Sequence, residues 1–111
     1  MGYIFTPEEL ENIQLKIMAL LYYVKKYDKR KLPHCFGFCE RIVRNIDISR
    51  AACYSGIDEL TQLIIDDWKS ACGAPVGLYD YYIPSDDAEI RKAMNRALSS
   101  QISDIDKCIR L

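Results

Sequence analysis

The stretch Thr6-Pro7-Glu8-Glu9-Leu10 opens a run that continues through Ile13, Ile17, Leu20, Leu21 and Val24, and this run decides the fold class. Thr6 can accept a hydrogen bond from the orphan amides of a helix start, and Glu9, at the third helical position, completes a capping box. Pro7 suits the first helical position, where its missing N–H costs nothing. Phe5 and Leu10 hold the two positions of a hydrophobic staple. The apolar residues then recur at steps of three and four, which reads as an amphipathic helix over Pro7–Tyr27. A charged run, Lys25 to Lys31, and Pro33 end it.

Outward from this helix the same period returns. Cys35, Phe38, Cys39, Ile42, Val43 and Ile46 predict a second helix over 35–46. Gly37 falls inside it, so either the helix starts after Gly37 or a neighbour packs close there. Ile57, Leu60, Ile64 and Trp68 share one face of a third helix. Asp47 could cap a long version with Gly56 in its middle, or Ser55 a short one. Gly73 and Pro75 stop it. Residues 72–84 form the longest loop, punctuated by Gly73, Pro75, Gly77 and Pro84. The loop is unusually apolar, so part of it packs down or a short strand pair forms there. The last helix starts at Ser85 or Asp86 and runs to the C-terminus, with Ile90, Met94, Ala97, Leu98, Ile102, Ile105 and Ile109 on one side. No run reads as a convincing strand. The expectation is an all-α, single-domain bundle of four helices, and 111 residues suffice to bury one core.

The composition excludes several chemistries. The single histidine, His34, rules out motifs that need two. His34, Cys35 and Cys39 form a tight trio, but a structural zinc site needs four ligands and no C-x2-C pair exists, so Cys53 or Cys72 would have to arrive from elsewhere; a metal- or ligand-binding bundle around Cys35 and Cys39 stays open as a third reading. No glycine-rich phosphate loop or nucleophile signature appears, so neither an enzyme nor a cofactor is expected. Five cysteines without a signal-peptide layout read as reduced thiols in a cytosol, and no segment is long enough to span a membrane. Cys35, Cys39, Cys53 and Cys108 fall where apolar residues are wanted. Gly2 with Thr6 fits a loose myristoylation pattern, but Phe5 and Thr6 are better explained by the helix start.

Charge is more informative resolved along the chain than summed. The formal net charge is -1. Residues 25–50 carry eight cations against three anions, a net of +5, and residues 51–90 carry one cation against eight anions, a net of -7. Two opposite surfaces are therefore expected. The acidic one adjoins Tyr79-Asp80-Tyr81-Tyr82, and tyrosine favours interfaces because it joins a large contact area to a polar tip. Asp66, Asp67, Tyr79, Asp80, Tyr81 and Tyr82 are the candidate protein-binding residues, to be tested by Tyr81→Ala with Asp80→Ala. The alternative is a nucleic-acid site built from Lys25, Lys26, Lys29, Arg30, Lys31, Arg41 and Arg44. A homodimer through exposed loop residues is also open.

Gly37-Phe38-Cys39, then Trp68, then Gly73-Ala74-Pro75-Val76 occur in an order that resembles small, mostly phage-encoded bacterial proteins of unassigned role. Lys69 and Gly77 depart from that pattern, where it tends to have prolines. The resemblance implies an accessory protein of a phage or mobile element, with no catalytic residues to carry over. Joined to the acidic, Tyr-rich segment, it makes an inhibitor or immunity-type protein the expected form, with a bacterial host or toxin protein as partner.

Overall fold

The computed structural model describes residues 3–73 and 77–109. Four helices follow one another: α1 (Pro7–Tyr27), α2 (Cys35–Ala51), α3 (Ile57–Gly73) and α4 (Ala88–Ile109). Described residues include no strand, so the chain is an all-α bundle. Each helix packs on its chain neighbours, and α4 closes back onto α1. Side-chain pairs give the directions. Asn12 meets Cys108 and Tyr23 reaches Met94, so α1 and α4 run antiparallel. Gln14 reaches Asp47 while Lys25 reaches Glu40, so α1 and α2 do too.

α1 forms as its sequence dictates. Thr6 Oγ1 accepts from the Glu9 amide at 3.1 Å, and Glu9 accepts in turn from the Thr6 amide at 2.9 Å. Phe5 and Leu10 are both buried, as the staple requires. The Phe5 amide also donates to Thr61 Oγ1 at 3.1 Å, which ties the start of α1 to α3. The core behind these contacts is one cluster. It includes Leu10, Ile13, Ile17, Leu20, Ile42, Ile46, Ile64, Trp68, Leu98 and Ile105.

Several boundaries differ from expectation. α2 starts at Cys35, before Gly37, and no heavy atom of a neighbour lies within 4 Å of where a Gly37 Cβ would stand. Neither reason proposed for that glycine holds. α2 also runs on to Ala51 rather than stopping at Ile46, which places Asp47 inside it and excludes Asp47 as a cap of α3. The turn that follows holds three residues at positive φ: Cys53 (52°), Tyr54 (61°) and Gly56 (73°). Gly56 supplies the carbonyl that accepts from Leu60 at 3.0 Å and so opens α3. α4 starts at Ala88, because Asp87 Oδ1 accepts from the amides of Glu89 (2.9 Å) and Ile90 (3.1 Å) and acts as its cap.

None of the five cysteines is in a disulfide. Cys35, Cys39 and Cys72 are buried, whereas Cys53 is exposed in the turn, so Cys72 takes the core place expected of Cys53. Burial pushes the Cys35 and Cys39 thiols up. Gly2 and the segment Ala74–Val76, part of the resemblance above, lie outside the described residues. Among the described residues no helix is long and apolar enough to cross a membrane.

Candidate functional site

The apolar loop packs down without forming strands among its described residues. Leu78, Tyr81 and Ile83 are buried, while Tyr79, Asp80 and Tyr82 face outward. Five anchors hold this arrangement. The Leu78 amide donates to the Ala71 carbonyl at 3.0 Å. The Tyr79 hydroxyl donates to Asp106 Oδ1 at 3.0 Å. The Tyr81 hydroxyl donates to Asp28 Oδ2. Arg30 Nη2 donates to the Tyr82 carbonyl at 3.0 Å. Asn95 takes the Ile83 backbone from both sides: its Oδ1 accepts from the amide at 2.7 Å, and its Nδ2 donates to the carbonyl at 2.9 Å. Through these contacts one loop is tied to α3, α4 and the segment after α1.

Asp28 is the centre of the frame. Its amide closes α1 by donating to the Val24 carbonyl at 2.8 Å, and its carboxylate is buried. A carboxylate at a helix C-terminus meets the negative end of the macrodipole, so it needs compensation. Arg30 provides it, through its amide (3.0 Å), Nε (3.1 Å) and Nη2 (3.0 Å). The Arg30 hydrogen bonds are the main cause that holds the Asp28 carboxyl down at about 2, aided by the Tyr81 hydroxyl and opposed by burial. The Tyr81 phenol is pushed up, first by burial and then by its bond to Asp28. Its ring packs edge-on against Phe36 with centroids 4.8 Å apart.

Asp106 is the second fixed point. Its Oδ1 accepts from both Trp68 Nε1 and the Tyr79 hydroxyl, each at 3.0 Å. The polar tip of Tyr79 is thus held in place. The phenol is pushed up to about 12, first by loss of water and then by hydrogen bonds to Cys72 and Asp106. Tyr79 as a whole is 57% exposed. Tyr82 is 56% exposed, with the Arg30 guanidinium 5.7 Å from its ring centroid. Two shallow clefts flank this pair. One, of about 160 Å³, is lined by Arg30, Lys31, Pro33, Asp80, Tyr81 and Tyr82. The other, of about 200 Å³, includes Leu78, Tyr79, Tyr81, Ser103 and Asp106. Tyr81 walls both.

The six candidate protein-binding residues therefore divide. Tyr79, Asp80 and Tyr82 stand together on the loop. Asp66 is exposed on α3, where its carboxylate accepts from Gln62 at 2.9 Å. Asp67 and Tyr81 are buried and do not belong to an exposed surface. Asp67 accepts two hydrogen bonds from Arg41, one from Nε at 3.0 Å and one from Nη2. This fork offsets the cost of an anion toward the C-terminal end of α3. The proposed Tyr81→Ala test is corrected accordingly, because it would remove a buried ring and a buried hydrogen bond.

The two-surface picture changes as well. The basic stretch bonds to carboxylates: Lys25 to Glu40 (3.4 Å), Arg30 to Asp28 (3.0 Å), and Arg41 to Asp67. The Lys26 ammonium lies 5.4 Å from the Tyr27 ring centroid. Lys29, Lys31 and Arg44 are exposed. The seven candidate nucleic-acid contacts thus include three that already serve internal ion pairs. His34 is exposed while Cys35 and Cys39 are buried, and among the described residues no group of three metal-ligating side chains is placed to hold a metal ion.

Sequence reasoning missed Asp28, Asn95 and Asp106, the residues that hold the loop. Asp28 alone left a signal, as the one acid in the run from Lys25 to Lys31. The amide of Asn95 and the carboxylate of Asp106 sit in ordinary helical positions, and only the fold brings the loop to them. No family model, curated protein or solved structure matches the chain.

Proposed function

We propose that this chain is a binding protein that grips a basic surface of another protein through Tyr79, Asp80 and Tyr82. In its concrete form it blocks a bacterial host or toxin protein. One observation carries the reading: two half-exposed tyrosines project from a loop whose backbone is already tied down, with the Tyr79 hydroxyl bonded to Asp106 and the Tyr82 ring beside the Arg30 guanidinium. Rings fixed before binding lose little entropy on association, and exposed aromatic anchors of this kind dominate interface energies. Asp80 sits between them, and Asp86 and Glu89, exposed just beyond the loop, add negative charge that would steer a cationic partner.

The test is capture from a bacterial lysate by the wild-type chain and by a Tyr79→Ala, Asp80→Ala, Tyr82→Ala variant. The variant gives up one of the five loop anchors, the Tyr79–Asp106 bond, and keeps the other four, so its helical circular dichroism should match that of the wild type. The reading expects a captured protein whose affinity falls at least about thirtyfold in the variant, the size of one hot-spot loss. It also expects the captured protein to lose activity when the wild-type chain is added at equal concentration. Capture that survives the triple substitution contradicts the proposed surface.

A further inference from the structure

α1 carries a second surface, on the side away from the core. Its buried residues Leu10, Ile13, Ile17, Leu20, Leu21 and Val24 occupy one arc. At 100° per residue the opposite arc holds Leu15, Met18, Ala19 and Tyr22. Leu15 is 60% exposed, Met18 48% and Tyr22 69%. A solvent-facing arc of an amphipathic helix is ordinarily polar. Here the strip between Leu15 and Tyr22 is apolar, Lys16 lies at its border, and Asn12 joins the acids at the N-terminal end. Glu8 and Glu11 lie at the N-terminal end and Lys26 at the C-terminal end. The Lys26 ammonium stands 6.0 Å from the Tyr22 ring centroid, which places it at the border of the apolar stripe.

This order is self-complementary. When a second α1 is laid antiparallel across the first, with the two-fold axis between Met18 and Ala19, each stripe residue meets a suitable opposite. Met18 faces Ala19, Leu15 faces Tyr22, and Glu11 faces Lys26, each pair occurring twice. The helix macrodipoles also oppose one another. We propose that α1 is a homodimer surface and that its occupant is a second copy of this chain, docked antiparallel in this register. A 21-residue helix is about 31 Å long. One helix pair of that length buries on the order of 1,000 Å², the lower bound for a specific interface. An interface at that lower bound makes the dimer weak and reversible. The inference is independent of the loop surface, which uses other residues.

A charge exchange tests both the occupant and the register. Sedimentation velocity of the wild-type chain from about 1 to 200 µM should show a monomer–dimer equilibrium. Glu11→Lys sets two lysines against each other on both sides of the axis, and Lys26→Glu sets two glutamates. Each should weaken self-association at least about tenfold, because the two-fold axis makes every substitution count twice. Mixed in equal amounts, the two variants should dimerise with each other as well as the wild type does with itself, since the mixture restores both opposite-charge pairs. Both positions are exposed, so folding is not at stake. A wild type that stays monomeric throughout overturns the proposal and leaves the stripe to a lipid surface or a foreign protein. Single variants that dimerise like the wild type, or a mixture that fails to associate, overturn the register and the proposal with it.

Discussion

At the scale of single residues, the buried Asp28–Tyr81 pair is the most exposed to test. A carboxyl whose pKa is lowered on folding stabilises the fold above its unfolded value and loses that contribution as pH falls through the folded one. For Asp28 that window runs from about pH 4 down to about pH 2. Asp28→Asn should therefore cost roughly 2 kcal/mol near neutral pH, and the difference from wild type should shrink toward zero near pH 2, as read by urea unfolding across pH. Tyr81→Phe keeps the ring on Phe36 and removes only the hydroxyl, so it should cost about 1–2 kcal/mol. Two glycines give opposite signs. Gly37 sits in the first turn of α2 with open space around it, and Gly37→Ala should stabilise by about 0.5–1 kcal/mol. Gly56 sits at φ +73°, and Gly56→Ala should destabilise by about 1 kcal/mol. Chemical denaturation of both variants checks the pair.

At the scale of elements, α1 was legible to the residue because its signals are local. The cap, the proline and the staple lie within six positions of each other, and the structure reproduces all three. α2 and α3 were legible in type but not in extent. Ile46 is the last apolar residue of the α2 stripe, yet the helix continues for another turn because Gln14 and Arg50 bind Asp47 and Arg50 also binds Gln14. Those partners come partly from α1, and no window of the α2 sequence contains them. The loop shows the same limit more sharply. Its apolar content said that something packs down, and Leu78, Tyr81 and Ile83 do. Which tyrosine of three turns inward depends on where Asp28 and Asp106 arrive. Those positions are set by helix packing across separations of 53 and 27 residues.

At the scale of the whole molecule, charge along the chain misled where charge in space did not. The +5 and -7 stretches suggested two opposed faces, but the fold lays α2 against α3 and bonds Arg41 to Asp67 across that contact. It likewise brings Arg30 to the loop carbonyl of Tyr82. The stretches partly neutralise each other, and what remains outward is narrower: two tyrosines and an aspartate on a tethered loop at one place, and an apolar stripe with charged ends at another. Helical period fixes the fold class because every turn repeats the signal. The site has no such repetition, and three of the residues that build it are solitary polar groups.

Binding through Tyr79 and Tyr82 at low entropic cost requires the loop to be held in place before any partner arrives. Amide hydrogen exchange of the free chain tests this directly at Leu78 and Ile83, whose amides donate to Ala71 and Asn95. The expected result is protection at both amides comparable to that of neighbouring helical amides, with protection at Ile83 lost in Asn95→Ala. Exchange of the wild-type loop at the rate of an unstructured peptide would contradict it, since tyrosines on an untethered loop would be ordered only at the cost of binding.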